Sequence, residues 1–349
     1  MPSSENIIAN QTIMNDLVSV IIPCFNSSNH IKKAVENILS QSYTKLECLL
    51  VDDGSTDGSQ AICEKLAQND TRVRFLPKKH EGVAAARNHG ILHANGGWIQ
   101  QMDVDDQLHP DKISLHMKQL SSLDQSKNII FYTDWDIVWE NKNQQIVQGD
   151  TITVGNKTKA ELLEQLVRWN FLPNSPLSNN TIFCKRSVFD LKMYDESLGA
   201  FEDFDLFTSL LLADTEFVYT PVVGMSYLQH TTNMTSNKNK MIRNYVRYLE
   251  ALNEKNPDLL KHCQSIGNLL CETLVNGDKE SFYRLLQLIE KTDVPVYFCN
   301  KLNLRNINAF KVIYFVRSIL PVSTTKLVYK ELKRLPKRVR WHLKHRLGI

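Results

Sequence analysis

The chain has 349 residues, of which 42% are hydrophobic and 23% are charged, a composition typical of a globular protein and unlike that of a disordered chain. The formal net charge is +3, but residues 1–239 carry 20 Lys and Arg against 29 Asp and Glu, whereas residues 240–349 carry 21 against 9. The basic C-terminal part therefore favours contact with an anionic surface, either membrane lipid or nucleic acid.

Apolar runs and helical spacing alternate along the first part of the chain. A β-branched run over 18–22 predicts a buried strand, and apolar residues on one face predict a helix over 31–39. A strand over 46–51, a helix containing Ile62 and Leu66, and a strand over 72–76 follow. Because strands and helices alternate, we expect the strands to be parallel.

The same alternation continues to about residue 220. The further predicted elements are a helix over 82–94, a strand over 98–102, a helix from Pro110, a strand over 128–132, a helix over 159–169, a strand over 181–184, a helix over 204–213 and a strand over 216–220. Beyond about residue 239 the spacing is helical, and nine Lys and Arg accompany one acidic residue over 326–346. We therefore predict an N-terminal tail (1–16), one α/β domain (17–239), a helical extension (240–325) and a basic tail (326–349).

Cysteine spacing and the chain's apolar runs indicate the compartment. Seven cysteines are scattered without a C-x-x-C pair, so we expect neither a zinc site nor a disulfide framework, and a reducing compartment. The first residues lack the basic and apolar regions of a secretion signal. The apolar run over 312–322 is about half of the roughly 20 residues that a membrane-spanning helix needs. A cytoplasmic protein is expected.

Acidic clusters follow two of the predicted strands. Asp52 and Asp53 end the second strand, and Asp103, Asp105 and Asp106 end the fourth. In an α/β domain such strand ends meet in one crevice. Alternate residues of extended chain point to the same side, so Asp103 and Asp105 can face one point while Asp106 faces away. The alternative is a solvated acidic turn in which Asp106 caps the next helix.

Two carboxylates that face one point need a shared cation or proton. At about 4 Å they repel by roughly 4 kcal/mol at an effective dielectric constant near 20. Hard oxygen ligands suit Mn²⁺ or Mg²⁺, and magnesium is often held by one or two carboxylates together with substrate phosphates. The acidic cluster after the fourth strand therefore predicts a site for a divalent cation and phosphates.

Three other segments contain residues that could bind a ligand or act in catalysis. Phe25 and Asn26, directly after the first strand, can stack on and hydrogen-bond a flat heterocycle, or they form an ordinary polar turn. Arg87 lies about one turn into a helix that opens with small residues and can pair with a diphosphate or with the acidic cluster, although small residues also serve tight packing. Asp203, in Glu202-Asp203 before an apolar helix, is either a general base or a helix N-cap.

The motifs occur in an order that resembles a known family. They cover residues 18–26, 51–57, 82–88, 103–106 and 202–203. Together they are similar to the motifs of family 2 glycosyltransferases with the A-type fold, over roughly residues 17–235. The resemblance implies an α/β fold that is Rossmann-like, with a mostly parallel central sheet and flanking helices, followed here by a helical C-terminal extension.

The resemblance also implies roles on the donor side. The residues that match positions holding or adjoining the nucleotide base and ribose are Pro23, Phe25, Asn26, Asp52 and Asp53. Arg87 matches a residue near the diphosphate, and Asp103 matches the ribose-side member of the Asp-x-Asp motif.

On the catalytic side, the resemblance implies a metal and a base. Asp105 matches the principal metal ligand, and Asp103 and His230 complete the expected metal set for Mn²⁺ or Mg²⁺. Asp203 matches the catalytic base of inverting members, with Glu202 orienting the acceptor or the base.

The implied function is an inverting, metal-dependent glycosyltransferase that moves a sugar from a nucleotide-sugar donor, UDP-linked in our prediction, to a glycan or lipid-linked glycan acceptor, as in surface polysaccharide synthesis. Two positions depart from the family pattern, because Ser209 replaces a frequent Arg and Tyr194 a common Phe. The alternative is a catalytically inactive nucleotide-sugar-binding scaffold in a glycan assembly complex. A nucleotidyltransferase would need a glycine-rich phosphate loop near the N-terminus, and the sequence has none there.

The basic tail suggests a membrane partner. Its leucines alternate with basic residues as in an interfacial helix, although Pro336 interrupts the pattern. Such a tail would place the protein peripherally at the inner face of the cell membrane, near a lipid-linked acceptor. Nucleic acid is not expected as a partner, because no recognised binding module accompanies the charge. A solvated chain end is the alternative.

Overall fold

A computed structural model gives the fold of the chain. It describes residues 16–141, 146–167, 177–230, 233, 237–260, 266, 269–270, 273 and 278–292. The chain divides into two compact units, 1–262 and 263–349. The basic tail and most of the predicted N-terminal tail lie outside the described residues, so predictions about their structure stay predictions.

One mixed sheet organises the first unit. Its strands in the described residues are β1 (Val18–Cys24), β2 (Leu46–Asp52), β3 (Val73–Pro77), β4 (Trp98–Gln101), β5 (Gln107–Leu108), β6 (Asn128–Glu140), β7 (Ile146–Ile152), β8 (Phe183–Lys185) and β9 (Thr215–Gln229). Their order is β3-β2-β1-β4-β8-β6-β9-β5, and β7 pairs with β6.

The direction of the strands changes at β8. The first four strands are mutually parallel, and β6 is parallel to β9. Strand β8 is antiparallel to both β4 and β6, and β5 is antiparallel to β9. The expectation of an α/β fold with a mostly parallel central sheet is confirmed.

Ten α-helices have defined bounds in the described residues. They are α1 (Ile31–Leu39), α2 (Ser59–Asn69), α3 (Val83–His93), α4 (Lys112–Gln119), α5 (Lys159–Val167), α6 (Val188–Leu191), α7 (Glu202–Leu212), α8 (Lys238–Lys255), α9 (Pro257–Leu260) and α10 (Lys279–Thr292). None of them is long and apolar enough to cross a membrane. Helix α8 lies within the first compact unit, and the domain boundary expected after residue 239 remains a prediction.

Burial explains why the first strands and helices form where the sequence predicts them. All seven residues of β2 are buried, as expected for a parallel strand covered on both faces. Helix α1 buries Ile31, Ala34, Val35 and Ile38, which repeat on one face of a helix.

Helix α3 approaches the sheet closely because it contains a glycine. A Cβ on Gly90 would lie 2.4 Å from Cγ2 of Ile21 in β1 and 3.2 Å from Cγ2 of Val51 in β2. A larger residue at position 90 would therefore push the helix away from the sheet. This close packing sets the depth at which Arg87, nearly one turn earlier on α3, enters the molecule.

The structure differs from the predictions mainly in the later strands. β6 and β9 continue to residues 140 and 229, well past the predicted ends at 132 and 220, and β5, β7 and α6 are not predicted. Polar residues interrupt the apolar run of β6, but they are satisfied inside the fold. Asp134, for example, accepts hydrogen bonds from the backbone of Val154 at 2.7 Å and from the hydroxyl of Tyr219 at 2.6 Å.

Candidate active site

Arg87 joins the two acidic regions of the chain. We call residues 103–106, which follow β4, the acidic turn. Nη2 of Arg87 donates to Oδ1 of Asp103 at 2.7 Å, and Nη1 donates to Oε1 of Glu202, 115 residues away in the chain. Arg87 is only 4% exposed, and burial alone would lower its pKa, but Asp103 and Glu202 raise the pKa well above its usual value. A fixed positive charge therefore holds the acidic turn beside the start of α7.

Asp105 and His230 form the second contact of the acidic turn. Nε2 of His230 lies 2.9 Å from Oδ2 of Asp105, and the side-chain nitrogen Nδ2 of Asn233 lies 3.4 Å from the same oxygen. The ring of His30 stacks on that of His230, with centroids 5.7 Å apart and planes at 15°. Sequence reasoning expected His230 near the metal, and the structure brings it to Asp105.

The donor set of this pair suits a divalent cation that also binds phosphate. Among the described residues, no group of three or more His, Cys, Asp and Glu is arranged to hold a metal alone. Magnesium sites on nucleotide substrates commonly use one or two carboxylates and take the remaining ligands from phosphates and water. Asp105 with His230, and Asp103 nearby in the acidic turn, therefore fit Mn²⁺ or Mg²⁺ bound together with a nucleotide diphosphate.

Asp106 faces the protein interior, although residues 103–106 form a turn, with the backbone N–H of Asp106 donating to the carbonyl of Asp103 at 3.1 Å, and not the extended chain that the predicted alternation requires. Its Oδ1 accepts from the backbone of Leu228 at 2.8 Å, and its Oδ2 accepts from the side chain of Asn180. Burial, followed by the charges of Asp105 and Asp103, raises its pKa well above the usual range. It does not cap the next helix, because residue 111 is the N-cap position of α4 and makes no side-chain cap there.

Glu202 and Asp203 begin helix α7. The N-cap position is Phe201, whose backbone is left-handed with φ +64°, so Asp203 lies inside the first turn and is not the cap. A left-handed backbone at a non-glycine residue is strained and is often found at functional sites. Aromatic rings of α8 hold Phe201 in place, because its ring lies 5.1 Å from that of Tyr245 and 6.2 Å from that of Tyr248.

The Asp203 carboxyl is set up to exchange a proton near neutral pH. Burial, followed by the charge of Glu202, raises the pKa of Asp203 to about 8, although Arg87 opposes the rise. Its Oδ1 accepts a hydrogen bond from the backbone of Phe204 at 2.9 Å. A carboxyl group whose pKa lies near the working pH is suited to general base catalysis.

An aromatic pair lies beyond the carboxyl ends of β1 and β3. Phe25, which is 45% exposed, stacks on His80 with ring centroids 4.1 Å apart and planes at 19°. Nδ1 of His80 lies 2.8 Å from Oδ2 of Asp53. Burial would raise the pKa of Asp53, but hydrogen bonds from Lys78 and from the backbone of Glu81 and Gly82 outweigh it and lower the pKa. Asp53 is therefore a charged anchor beside an exposed ring.

The remaining donor-side residues hold the loop after β2. Asp52 is fully buried, and its Oδ2 accepts from the backbone of Gly54 and Ser55 and from Gln60. Asn26 accepts from the backbone of Thr56 at 2.8 Å. Pro23 lies within β1. The structure thus places Asp53, rather than Asp52, at the Phe25–His80 pair, and direct contacts of Pro23, Asn26 and Asp52 with a nucleotide stay predictions.

Sequence reasoning missed two residues that contact the predicted site residues, His80 beside Asp53 and Asn180 beside Asp103. His80 lies two positions before Gly82 of the small-residue motif, and Asn180 binds both Asp103 and Asp106. The sequence could have indicated His80, because it lies so close to Gly82. Nothing in local spacing points to Asn180, which is 77 residues from Asp103 in the chain.

The sequence is similar to a known family of proteins. Residues 19–180 match the family described as Glycosyl transferase family 2. The similarity covers 162 of the 349 residues of the chain. An uncharacterized glycosyltransferase of Rickettsia felis is 31% identical over 208 residues, which are 59% of this chain and 32% of that protein. The chain thus spans about a third of that relative's length.

Solved structures show the same fold as this chain. Residues 1–349 of S. aureus TarS in complex with UDP-GlcNAc match with a TM-score of 0.57 and 16% identity, covering 80% of this chain and 81% of that one. A mannosyltransferase from Pyrobaculum calidifontis in complex with GDP-Man and Mn²⁺ matches with a TM-score of 0.51 and 15% identity, covering 93% and 81%. The fold is the A-type glycosyltransferase fold.

Proposed function

We propose that this chain is a family 2 glycosyltransferase of the inverting type that uses a nucleotide-sugar donor, UDP-linked, together with Mn²⁺ or Mg²⁺. The observation that carries the proposal is the bridge from Asp103 through Arg87 to Glu202. It joins the acidic turn, which suits a metal and a diphosphate, to the helix that carries Asp203. A donor held at one end of the bridge therefore meets a base at the other.

The donor would lie along the carboxyl ends of β1, β2 and β4. Phe25 offers an exposed ring for base stacking, and base–aromatic stacking is worth about 1–3 kcal/mol. The donors named for the two solved neighbours, UDP-GlcNAc and GDP-Man, support a nucleotide sugar as the class of substrate. We favour UDP because Asp53 lies beside Phe25, and its Oδ2, which His80 contacts at 2.8 Å, could accept a hydrogen bond from the ring N–H of uracil in place of that contact.

Asp105 and His230 would hold the divalent cation, with Asp103 beside them, and the Mn²⁺ bound to the mannosyltransferase neighbour supports this class of cofactor. When bound, such a cation supplies positive charge to the phosphate oxygens of the leaving group. Arg87 supplies a second, permanent positive charge at the same turn. Charge that develops on the nucleoside diphosphate is therefore offset beside the buried Arg87, and fixed charges act most strongly where water is excluded.

Asp203 would act as the base in a single displacement. The acceptor hydroxyl loses its proton to the Asp203 carboxylate as its oxygen forms a bond to the anomeric carbon. The bond from that carbon to the diphosphate oxygen breaks, and its electron pair leaves with the nucleoside diphosphate. Attack from the side opposite the leaving group inverts the anomeric configuration. Glu202, fixed by Arg87, orients the start of α7 for this step.

We propose a glycan or a lipid-linked glycan as the acceptor, with the protein in the cytoplasm and bound peripherally to the inner face of the cell membrane. The basic composition of residues 326–349 supports this location, because clusters of Lys and Arg bind anionic lipid headgroups.

Turnover measurements test the proposed function. The wild-type chain is incubated with UDP-, GDP- and CDP-sugars, Mn²⁺ and glycan acceptors, and nucleotide release and product configuration are measured. Asp203→Asn should keep donor affinity and lose about 10²–10⁴ in kcat, the usual contribution of a general base. Unchanged turnover in Asp203→Asn would show that Asp203 is not the base. Donor binding without transfer to any acceptor would favour the scaffold.

A further inference from the structure

The side chain of Asn180 lies between the two carboxylates that flank Asp105. Its Oδ1 accepts a hydrogen bond from the backbone N–H of Asp103 at 2.7 Å. Its Nδ2 donates to Oδ2 of Asp103 at 3.2 Å and also to Oδ2 of Asp106. Asn180 is 3% exposed, so water does not compete for these contacts. One amide therefore ties both outer residues of the acidic turn.

The orientation of this amide is determined by its partners. Oδ1 has to face the backbone N–H of Asp103, and this leaves the NH₂ group toward the two carboxylates. An amide offers two donors in the NH₂ group and one acceptor oxygen, and the three contacts use all of them in a single arrangement.

The backbone of Asn180 is fixed as well. Its carbonyl oxygen accepts from Nζ of Lys112 and, at 3.2 Å, from Nε2 of Gln100. Both of these side chains are fully buried. Lys112 begins α4 and Gln100 lies in β4, so two separate elements hold the residue that holds the acidic turn.

We propose that Asn180 is a positioning residue for the acidic turn, which keeps Asp103 and Asp106 bound to the protein so that Asp105 is presented to the divalent cation. The inference rests on the proposed function. The other oxygen of each outer carboxylate also has a fixed donor, Arg87 for Asp103 and the Leu228 backbone for Asp106. Without the amide, three carboxylates within four residues would repel one another and turn away from this arrangement.

Replacing Asn180 by Asp tests the proposal with almost no change of shape. The substitution exchanges the NH₂ donors for a carboxylate oxygen that faces Asp103 and Asp106. Calorimetric titration of Mn²⁺ into the full chain saturated with UDP should show an affinity 10- to 100-fold below that of the wild type, the usual loss when a partner of a metal ligand is removed. At saturating Mn²⁺, affinity for UDP should return to within about twofold of the wild type, which general damage to the fold would not allow.

Asn37→Asp is the matched control. The amide of Asn37 binds both backbone groups of Leu108, two residues beyond the acidic turn, and the same exchange of atoms there faces no carboxylate. It should leave Mn²⁺ affinity unchanged. If thermal unfolding shows that Asn180→Asp does not fold, Asn180→Ala makes the same comparison without the added charge.

Two outcomes separate this inference from the proposed function. Equal Mn²⁺ affinity in the wild type and in a folded Asn180 variant would overturn the positioning role alone. A wild-type chain that binds neither Mn²⁺ nor UDP would overturn the proposed function itself.

Discussion

At the scale of single residues, Asp203 couples the proposed chemistry to pH. Its pKa is raised to about 8, whereas an unperturbed aspartate titrates near about 4. Only the deprotonated carboxylate can accept a proton from the acceptor. We therefore expect kcat/KM to rise as pH increases and to level off above about 8, when measured from pH 6 to 9.5 with saturating metal. A profile that is flat across this range would contradict the raised pKa, and the residual activity of Asp203→Asn should show no inflection there.

Arg87 joins the acidic turn to the start of α7 through ion pairs with Asp103 and Glu202. Arg87→Met leaves Asp103 and Glu202 without their shared cation, and breaking a buried ion pair from one side costs about 3–5 kcal/mol. Urea unfolding should show a loss of that size in the free energy of unfolding.

The partly exposed surface pair of Arg72 and Asp70, with nitrogen and oxygen 2.8 Å apart, supplies the control for Arg87. Surface pairs of this kind contribute about 0–1 kcal/mol, so Arg72→Met should have little effect. If Arg87→Met lowered the free energy of unfolding as little as Arg72→Met, the bridge would not stabilise the fold.

Local sequence patterns predict some of these site residues but not others. Asp103 and Asp105 can be found from the sequence because they directly follow a buried strand of an α/β domain, although they lie in a turn and not in the extended chain that we predicted. The sequence alone does not show which of Asp52 and Asp53 faces the Phe25–His80 pair. This depends on which carboxylate accepts hydrogen bonds from the backbone of Gly54 and Ser55, and in the structure that carboxylate is Asp52. The tertiary contacts of Asn180 leave no mark in local spacing.

At the scale of secondary-structure elements, helix α3 has to lie against β1 for Arg87 to reach both acidic regions. Gly90→Ala would place a methyl group within contact distance of Ile21 and Val51, and overpacking of this kind costs about 1–3 kcal/mol. Urea unfolding should show this loss.

Leu92→Ala on the same helix is the control, because Leu92 is 72% exposed and surface changes are usually within about 0.5 kcal/mol. A stability of Gly90→Ala equal to that of the wild type would mean that the helix can move without cost.

The elements that the sequence predicts well are those with uniform burial. β1 and β2 appear as continuous apolar runs and lie where we expect them. β6 and β9 extend about eight or nine residues further than their apolar runs, because each strand supplies the other's hydrogen bonds over Asn128–Trp139 and Thr215–Gln229. Periodicity cannot show pairing between segments that lie nearly ninety residues apart.

At the scale of the whole molecule, the charge asymmetry predicts a membrane-binding end. The full chain should sediment with vesicles that contain anionic lipid, and a chain ending at residue 325 should not, because about nine basic residues are removed at roughly 1 kcal/mol each near the surface. Raising the salt concentration should release the full chain.

Vesicles of neutral lipid are the control for the tail. Equal binding of the two chains to anionic vesicles would remove the basis for a peripheral location. The proposed donor site would be unaffected, since it rests on residues of the first compact unit.

Calorimetric binding of UDP, GDP and CDP to the wild type and to Asp105→Ala, each with Mn²⁺, with Mg²⁺ and with EDTA, tests the proposed donor site most directly. We predict that UDP binds the wild type when either metal is present, and that EDTA or Asp105→Ala abolishes this binding. Failure of every nucleotide to bind under all conditions, or equal binding by Asp105→Ala, would contradict a metal-dependent donor site at the acidic turn.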